Sequence, residues 1–319
     1  MSKPHDTPLN IGPLAPLAAS RPGRIALQVV RWAVPVALLV LLGRRLGALG
    51  WHEIWTARPG SMLFYVFLVL QFFLQPWGDY LIYRNLWGRT GLPMTILLRK
   101  RFLNSAMFDY SGELYFYFWA QKKLNLPHQS LVHAIKDSNL LSGGAGLAMV
   151  WLVLLALLAT GGFHLPQVAA DHRWLDVLVG TVPLILCAAL VLGHRKLTVL
   201  SRAQIAQTFA IHFLRSLSVL LVEFAMWEVS GALPNAVACL QFVALRLIVT
   251  RLPLVPNKDL VFVGAGIAAA GLVNVAITPV ATVLVILAAA DLLLGCVLIG
   301  LPWALEVLLL RRKNEEAAT

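Results

Sequence analysis

The chain has 319 residues, of which 59% are hydrophobic and 13% charged, with a mean hydropathy of +0.77. That charged share is about half of what a soluble domain carries, which excludes an ordinary water-soluble globular protein. The net charge of +11 would in a soluble chain raise nucleic acid as a partner, but here the basic residues cluster at the ends of apolar runs, the pattern of contact with anionic headgroups, so no nucleic-acid partner is expected.

In chain order, residues 1–24 come first. They are polar and proline-rich, with Pro4, Pro8, Pro13, Pro16 and Pro22, which predicts a disordered cytosolic tail without a cleavable signal peptide. Residues 25–313 are expected to form one transmembrane domain, and 314–319 a second cytosolic tail. Within the domain the apolar segments are Leu27–Gly43, Met62–Tyr83, Leu140–Thr160, Trp174–Leu192, Thr208–Val229, Ala236–Leu252, Leu260–Ile277 and Val280–Leu310. A span needs roughly 20 apolar residues of helix. The expected fold class is therefore all-α, a polytopic membrane helical bundle of about eight spans. Region 92–129, between the second and third segments, is too polar to span and too apolar to be a free loop. Cys187, Cys239 and Cys296 lie in apolar runs without metal-ligand spacing, and neither a cofactor nor a metal is expected.

Orientation follows from Lys and Arg in the short loops. Arg21 and Arg24, then Arg84, Arg89, Arg99, Lys100 and Arg101, then Arg195, Lys196 and Arg202, and finally Arg311, Arg312 and Lys313 all fall on one side if both termini are cytoplasmic. Arg44, Arg45 and Arg58 are left on the other side.

Two places interrupt the apolar pattern. MTILLRKRFLNSAM (94–107) sets a basic cluster beside apolar positions, as in an interfacial amphipathic helix. Ser111-Gly112 then breaks the helix, Glu113 opens an aromatic one, and Lys122 and Lys123 end it. RLPLVPNKDLVFVGAG (251–266) is similar. Pro253 and Pro256 make the break, Asn257-Lys258-Asp259 follow, and a helix with Gly264 and Gly266 comes next. Paired interruptions in the two halves of a membrane chain point to a substrate site between internal, inverted repeats. A helix starting inside the membrane offers free N–H groups and partial positive charge to an anionic headgroup. The competing reading is a pair of ordinary short helices with proline or glycine kinks.

At these two places the chain resembles the transmembrane flippase-like family, the membrane region shared with bacterial lysylphosphatidylglycerol synthases and their stand-alone relatives. Ser111, Gly112 and Glu113, with Lys122 and Lys123 behind, are similar to the family's first motif. Pro253, Pro256, Asn257, Lys258 and Asp259 stand at the second, where Asn257 and Lys258 replace small or glycine residues and Asp259 is a shorter acid. The likeness runs from about Arg24 to Lys313. It implies re-entrant helices and movement of a phospholipid headgroup across the bacterial inner membrane. In the family a lipid-modifying soluble domain is sometimes fused; none is expected within these 319 residues.

Ionisable residues at membrane depth are costly and default to a functional reading. His212, Arg215, Glu223 and Glu228 lie in the fifth segment, Arg246 and Arg251 in the sixth, and Asp291 in the last. His212 and Glu223 share nearly one helix face, with Arg215 close by. For Arg215, Glu223, Arg246 and Asp291, function and structural ion pairing are evenly balanced. For Asp79, Arg84, His133 and Lys136, near segment ends, pairing or snorkelling is favoured. Tyr115–Trp119 reads as an interfacial belt and Trp51, Trp55, Trp77 and Trp87 as anchors. Gly143, Gly144 and Gly146 read as a close-packing stripe.

The substrate-binding candidates are thus Ser111, Gly112, Glu113, Arg215, Glu223, Arg246, Arg251, Asn257, Lys258, Asp259 and Asp291, with no catalytic residue assigned. Arginine suits phosphate because its planar fork takes two oxygens at once. The leading expectation is a translocator of an anionic lipid or lipid-linked headgroup, with membrane lipids as partners. No GxxxxGK[ST] loop is present, so ATP is not a visible driver. The alternatives are an integral-membrane transferase acting on a polyprenyl- or lipid-linked substrate, for which His52-Glu53 is the one hint, and a coupled transporter of a soluble solute. The oligomeric state is left open between monomer and homo-oligomer.

Overall fold

The computed structural model describes residues 50–88, 91–106, 110–162, 198–251, 258–272 and 275–303, with isolated positions between 40 and 47 and between 305 and 309. Both expected tails, nearly all of the first expected segment, the whole of the fourth, and Pro253, Pro256 and Asn257 lie outside the described residues. Among the described residues the protein is all-helical, with no strand.

The helices are α1 (Trp51–Thr56), α2 (Met62–Trp87), α3 (Met94–Ala106), α4 (Ser111–Lys123), α5 (His128–Ala159), α6 (Arg202–Ser230), α7 (Ala236–Arg251), α8 (Lys258–Leu272) and α9 (Ile277–Gly295). A π-helical turn, Cys296–Gly300, continues α9. Among the described residues, four helical stretches are long and apolar enough to cross a membrane: α2, α5, α6, and α9 extended to Trp303. They answer the second, third, fifth and last expected segments. Only 17–28% of each apolar window is buried within the chain. Leu63, Val66, Val69 and Leu70 of α2 face outward, as lipid-facing side chains do.

The sixth and seventh expected segments become α7 and α8, of 16 and 15 residues. At 1.5 Å per residue they reach about 22–24 Å, short of the ~30 Å hydrocarbon layer. Eight spans are therefore not what the described residues display; they contain four spanning helices plus two pairs of shorter ones, α3–α4 and α7–α8.

Local chemistry fixes several boundaries. α5 begins twelve residues before the expected Leu140, because its polar first turns find partners. Asp137, fully buried, accepts from Thr198 Oγ1 at 2.9 Å and from the Val199 N–H at 3.2 Å, and pairs with Lys136 at 3.0 Å. α6 begins at Arg202 because Ser201 and Gln204 form a reciprocal capping box, which satisfies two of the helix's orphan N–H groups. It ends at Gly231, whose φ of 65° is left-handed.

The main packing axis is α2 against α6, with α5 flanking α6 and α8 against α9. A large apolar core lies among α2, α5, α6, α7, α8 and α9, around Phe64, Met149, Trp227, Phe242, Phe262 and Leu284. A smaller one, around Tyr83, Leu97 and Phe116, seats the α3–α4 pair on the end of α2. Phe102 of α3 wedges against Gly295 and Gly300, on either side of the π-helical turn. Such single-turn insertions re-aim a helix locally.

Candidate functional site: a chain of buried charges

Ser111 and Gly112 do not break the helix as expected: they form the first turn of α4, which is helical from Ser111, and α3 ends earlier, at Ala106. The α3–α4 pair still falls at the first expected interruption. Its two helices have 13 residues each, so neither is long enough to span. Tyr110, just before α4, has φ 72°, an uncommon left-handed backbone for a non-glycine residue. Asn104 of α3 holds the turn together. Its Oδ1 accepts from the Gly112 N–H at 2.7 Å and its Nδ2 donates to Glu113 Oε2 at 2.9 Å. Ser111 Oγ donates to the Leu103 carbonyl at 2.7 Å. A side chain at Gly112 would overlap the Lys100 carbonyl, so the two helices touch through glycine. The amide at Gly112, expected to greet a headgroup, is therefore occupied by Asn104.

Glu113 points inward and starts a chain of ion pairs. Lys100 Nζ lies 3.3 Å from Glu113 Oε1 and 2.6 Å from Asp79 Oδ2. Asp79 Oδ1 accepts in turn from Arg215 Nη1 at 2.8 Å, and Arg215 Nη2 donates to Ser142 Oγ at 3.3 Å. Lys100 also sits over the rings of Tyr83 and Phe116, 5.5 and 5.9 Å from their centroids. Burial opposes its charge, but Asp79, Tyr83 and Glu113 outweigh that, so its pKa stands above the ordinary lysine value. His212 packs beside this group and shares a hydrogen bond with Ser138 at 3.1 Å.

The next residue of α3 opens a second branch. Arg101 pairs with Asp291 of α9 and donates to Gln75 Oε1 at 3.1 Å. Asp291 lies within electrostatic reach of Arg246 and Asp259. Arg246 of α7 reaches Glu223 of α6 at 3.6 Å and Asp259 of α8 at 3.4 Å. This third group is loose. Glu223 Oε1 and Arg246 Nη1 are both buried without a hydrogen bond. Arg215 and Glu223, eight residues apart on α6, link the two ends over about 12 Å.

The sequence-predicted residues thus separate. Glu113 and Arg215 join one group, Glu223, Arg246 and Asp259 another, and Asp291 stands between them. Ser111 and Gly112 shape the hairpin turn. Lys258 donates to the Thr250 carbonyl at 3.1 Å, across the gap between α7 and α8. Arg251 stands apart from all of these pairs. Asn257 is outside the described residues.

Two expectations change and one narrows. The basic triplet Arg99-Lys100-Arg101 does not face headgroups as an interfacial cluster: all three side chains meet acids of this chain, Glu306, Asp79 and Asp291, because α2, α9 and the position Glu306 beyond it bring those acids against α3. For Asp79, of the two favoured readings, pairing holds and snorkelling does not: it is a buried bridge between two cations. The aromatic run is partly core rather than belt: Phe116 is fully buried, stacked between Trp87 at 5.3 Å and Trp119 at 6.1 Å. Asp79, Lys100, Arg101, Asn104 and Ser142 were missing from the predicted site. Asp79 was signalled by its place in an apolar run. The rest had no signal separable from an ordinary polar loop or helix.

Among the described residues no group of three His, Cys, Asp or Glu side chains could hold a metal. Comparisons with protein-family models, curated proteins and solved structures returned no match for this chain.

Proposed function

We propose that this protein is a translocator of an anionic lipid or lipid-linked headgroup in a bacterial cytoplasmic membrane, a flippase-like protein with both termini cytoplasmic. The observation that carries the reading is the chain of charges inside an apolar bundle, flanked by a helical hairpin too short to cross. Asp79, Lys100, Arg101, Glu113, Arg215, Glu223, Arg246, Asp259 and Asp291 run along it. Charges at that depth are costly and accompany substrate or ion pathways. A polar route through the interior lets a headgroup cross while acyl chains stay in lipid. Two pairs of short helices beside the route, α3–α4 and α7–α8, fit the broken-helix architecture of transporters built from repeats. In this mechanism the tight pairs around Asp79 hold the bundle, and the loose Glu223–Arg246–Asp259 group exchanges partners as the headgroup passes.

The test is reconstitution into phosphatidylglycerol vesicles carrying a trace of headgroup-labelled phosphatidylglycerol, with a membrane-impermeant quencher added outside. Protein-dependent loss of inner-leaflet signal without ATP is expected. Rates equal to those of protein-free vesicles, for phosphatidylglycerol and every other anionic lipid tried, would remove the reading.

A further inference from the structure

Two arginines stand apart from the remaining charges in how their heads are held. Arg215 crosses Gly78 of α2, where a Cβ would overlap its side-chain methylenes. Its guanidinium then reaches Asp79 at 2.8 Å and Ser142 of α5 at 3.3 Å. Arg251, the last residue of α7, lays its guanidinium on the α5 backbone at Gly146, where a Cβ would overlap its Cζ and both Nη atoms. Ser142 and Gly146 are i and i+4 on α5, neighbours on one helix face about 5–6 Å apart. The two guanidinium groups are therefore seated one helical turn apart on the same surface.

Their partners differ. Arg215 is neutralised by Asp79. Arg251 has no carboxylate and no hydrogen bond among the described residues; the charge nearest to it is the like charge of Arg215, with the uncharged phenol of Tyr110 also in electrostatic range. Two like charges at this spacing repel unless something negative lies between them. Arg246, which the sequence also offered for phosphate, is already taken by Glu223 and Asp259.

We infer that Arg251 and Arg215 form a two-pronged clamp for one phosphate oxyanion on the Ser142–Gly146 face of α5, with Tyr110 of the hairpin turn at its edge. Arg215 is the fixed prong, anchored by Asp79. Arg251 is the second prong, exposed at the end of α7. Each planar fork presents paired N–H donors to oxygens, and Ser142 supplies a hydroxyl beside them. Gly78 lets the stem of Arg215, and Gly146 the head of Arg251, lie close against α2 and α5 respectively. The inference rests on the headgroup-translocation reading and names its binding group. The same chemistry serves a lipid phosphodiester or a free phosphate.

The test uses the full chain in maltoside micelles, which carry no phosphate, titrated separately with inorganic phosphate and with phosphatidylglycerol in mixed micelles. Diacylglycerol is the phosphate-free control. At least one phosphate-bearing probe should bind. Arg251→Gln should weaken it about tenfold to a hundredfold, the scale of a lost charged hydrogen bond, and Arg251→Lys should recover part. Gly146→Ala pushes only the flexible end of Arg251 aside, so it is expected to fold normally and still weaken binding several-fold; it carries the test if Arg251→Gln fails to fold. Unchanged affinity in Arg251→Gln and Gly146→Ala, or no binding of either probe to the unaltered protein, overturns the clamp. Binding of phosphatidylglycerol alone identifies the headgroup. Binding of inorganic phosphate alone keeps the clamp and overturns the lipid-translocation reading. A clamp that fails while vesicle exchange persists leaves translocation standing by another route.

Discussion

The two ends of the charge chain are built differently. Around Asp79 both paired cations are close, at 2.6 Å for Lys100 and 2.8 Å for Arg215, and Tyr83, Phe116 and Trp87 pack together beside the group. Around Arg246 the contacts are 3.4 and 3.6 Å, and two buried polar atoms have no hydrogen bond. In a low dielectric, tight pairs and stacked rings make a fixed joint. Loose pairs with spare capacity make one whose partners change at little cost. The α3–α4 end is therefore the anchor and the α7–α8 end the adjustable part.

The largest effect should come from breaking the anchor. Asp79→Ala strips Arg215 of its carboxylate and leaves Lys100 with Glu113 alone. A loss of about 3–5 kcal/mol is expected, the scale for orphaning a buried charge, read as a lower midpoint of unfolding in detergent. An unchanged midpoint would erase the distinction between the two ends. Next comes Gly112→Ala, whose new Cβ meets the Lys100 backbone carbonyl rather than a flexible tip. Overpacking of this kind costs about 1–3 kcal/mol, and the same unfolding measurement should resolve it from Gly146→Ala, which should cost far less.

At the adjustable end, Glu223→Gln keeps shape and leaves Arg246 with Asp259. Stability should fall by about 1 kcal/mol or less, while headgroup exchange in vesicles slows several-fold. A large stability loss with normal exchange would reverse the assignment of anchor and moving part. The smallest effect is expected at Glu53, exposed on α1 and away from both ends. Glu53→Gln should leave exchange unchanged. Loss of all activity there would favour a transferase acting on a lipid-linked substrate.

Much of the architecture was legible from hydropathy and punctuation. Met62–Tyr83 and Thr208–Val229 were found because an apolar stretch of about 20 residues matches the length of a bilayer-crossing helix. An interruption near Ser111-Gly112 was legible because small and acidic residues rarely interrupt an aromatic run, but its exact place was not: these residues open α4 and the break lies before them. The start of α6 was also written locally, in the S-x-x-Q of Ser201 to Gln204, a capping box that hydropathy alone passes over. The site was only half legible. Glu223, Arg246, Asp259 and Asp291 stand out as charges in apolar surroundings. Lys100 and Arg101 do not, because a basic triplet on a short amphipathic helix has the same pattern whether it faces headgroups or acids.

Taken alone, then, the amino-acid order determined a helical membrane-type chain and the places of the four long helices among the described residues, since each depends on the local free energy of apolar residues and backbone hydrogen bonds. Only tertiary packing decided which charges neutralise one another. Lys100 meets Asp79 across 21 positions, and Arg215 meets it across 136. Ion pairing inside apolar surroundings depends on distance through space, and no local pattern encodes which distant helix delivers the counter-charge.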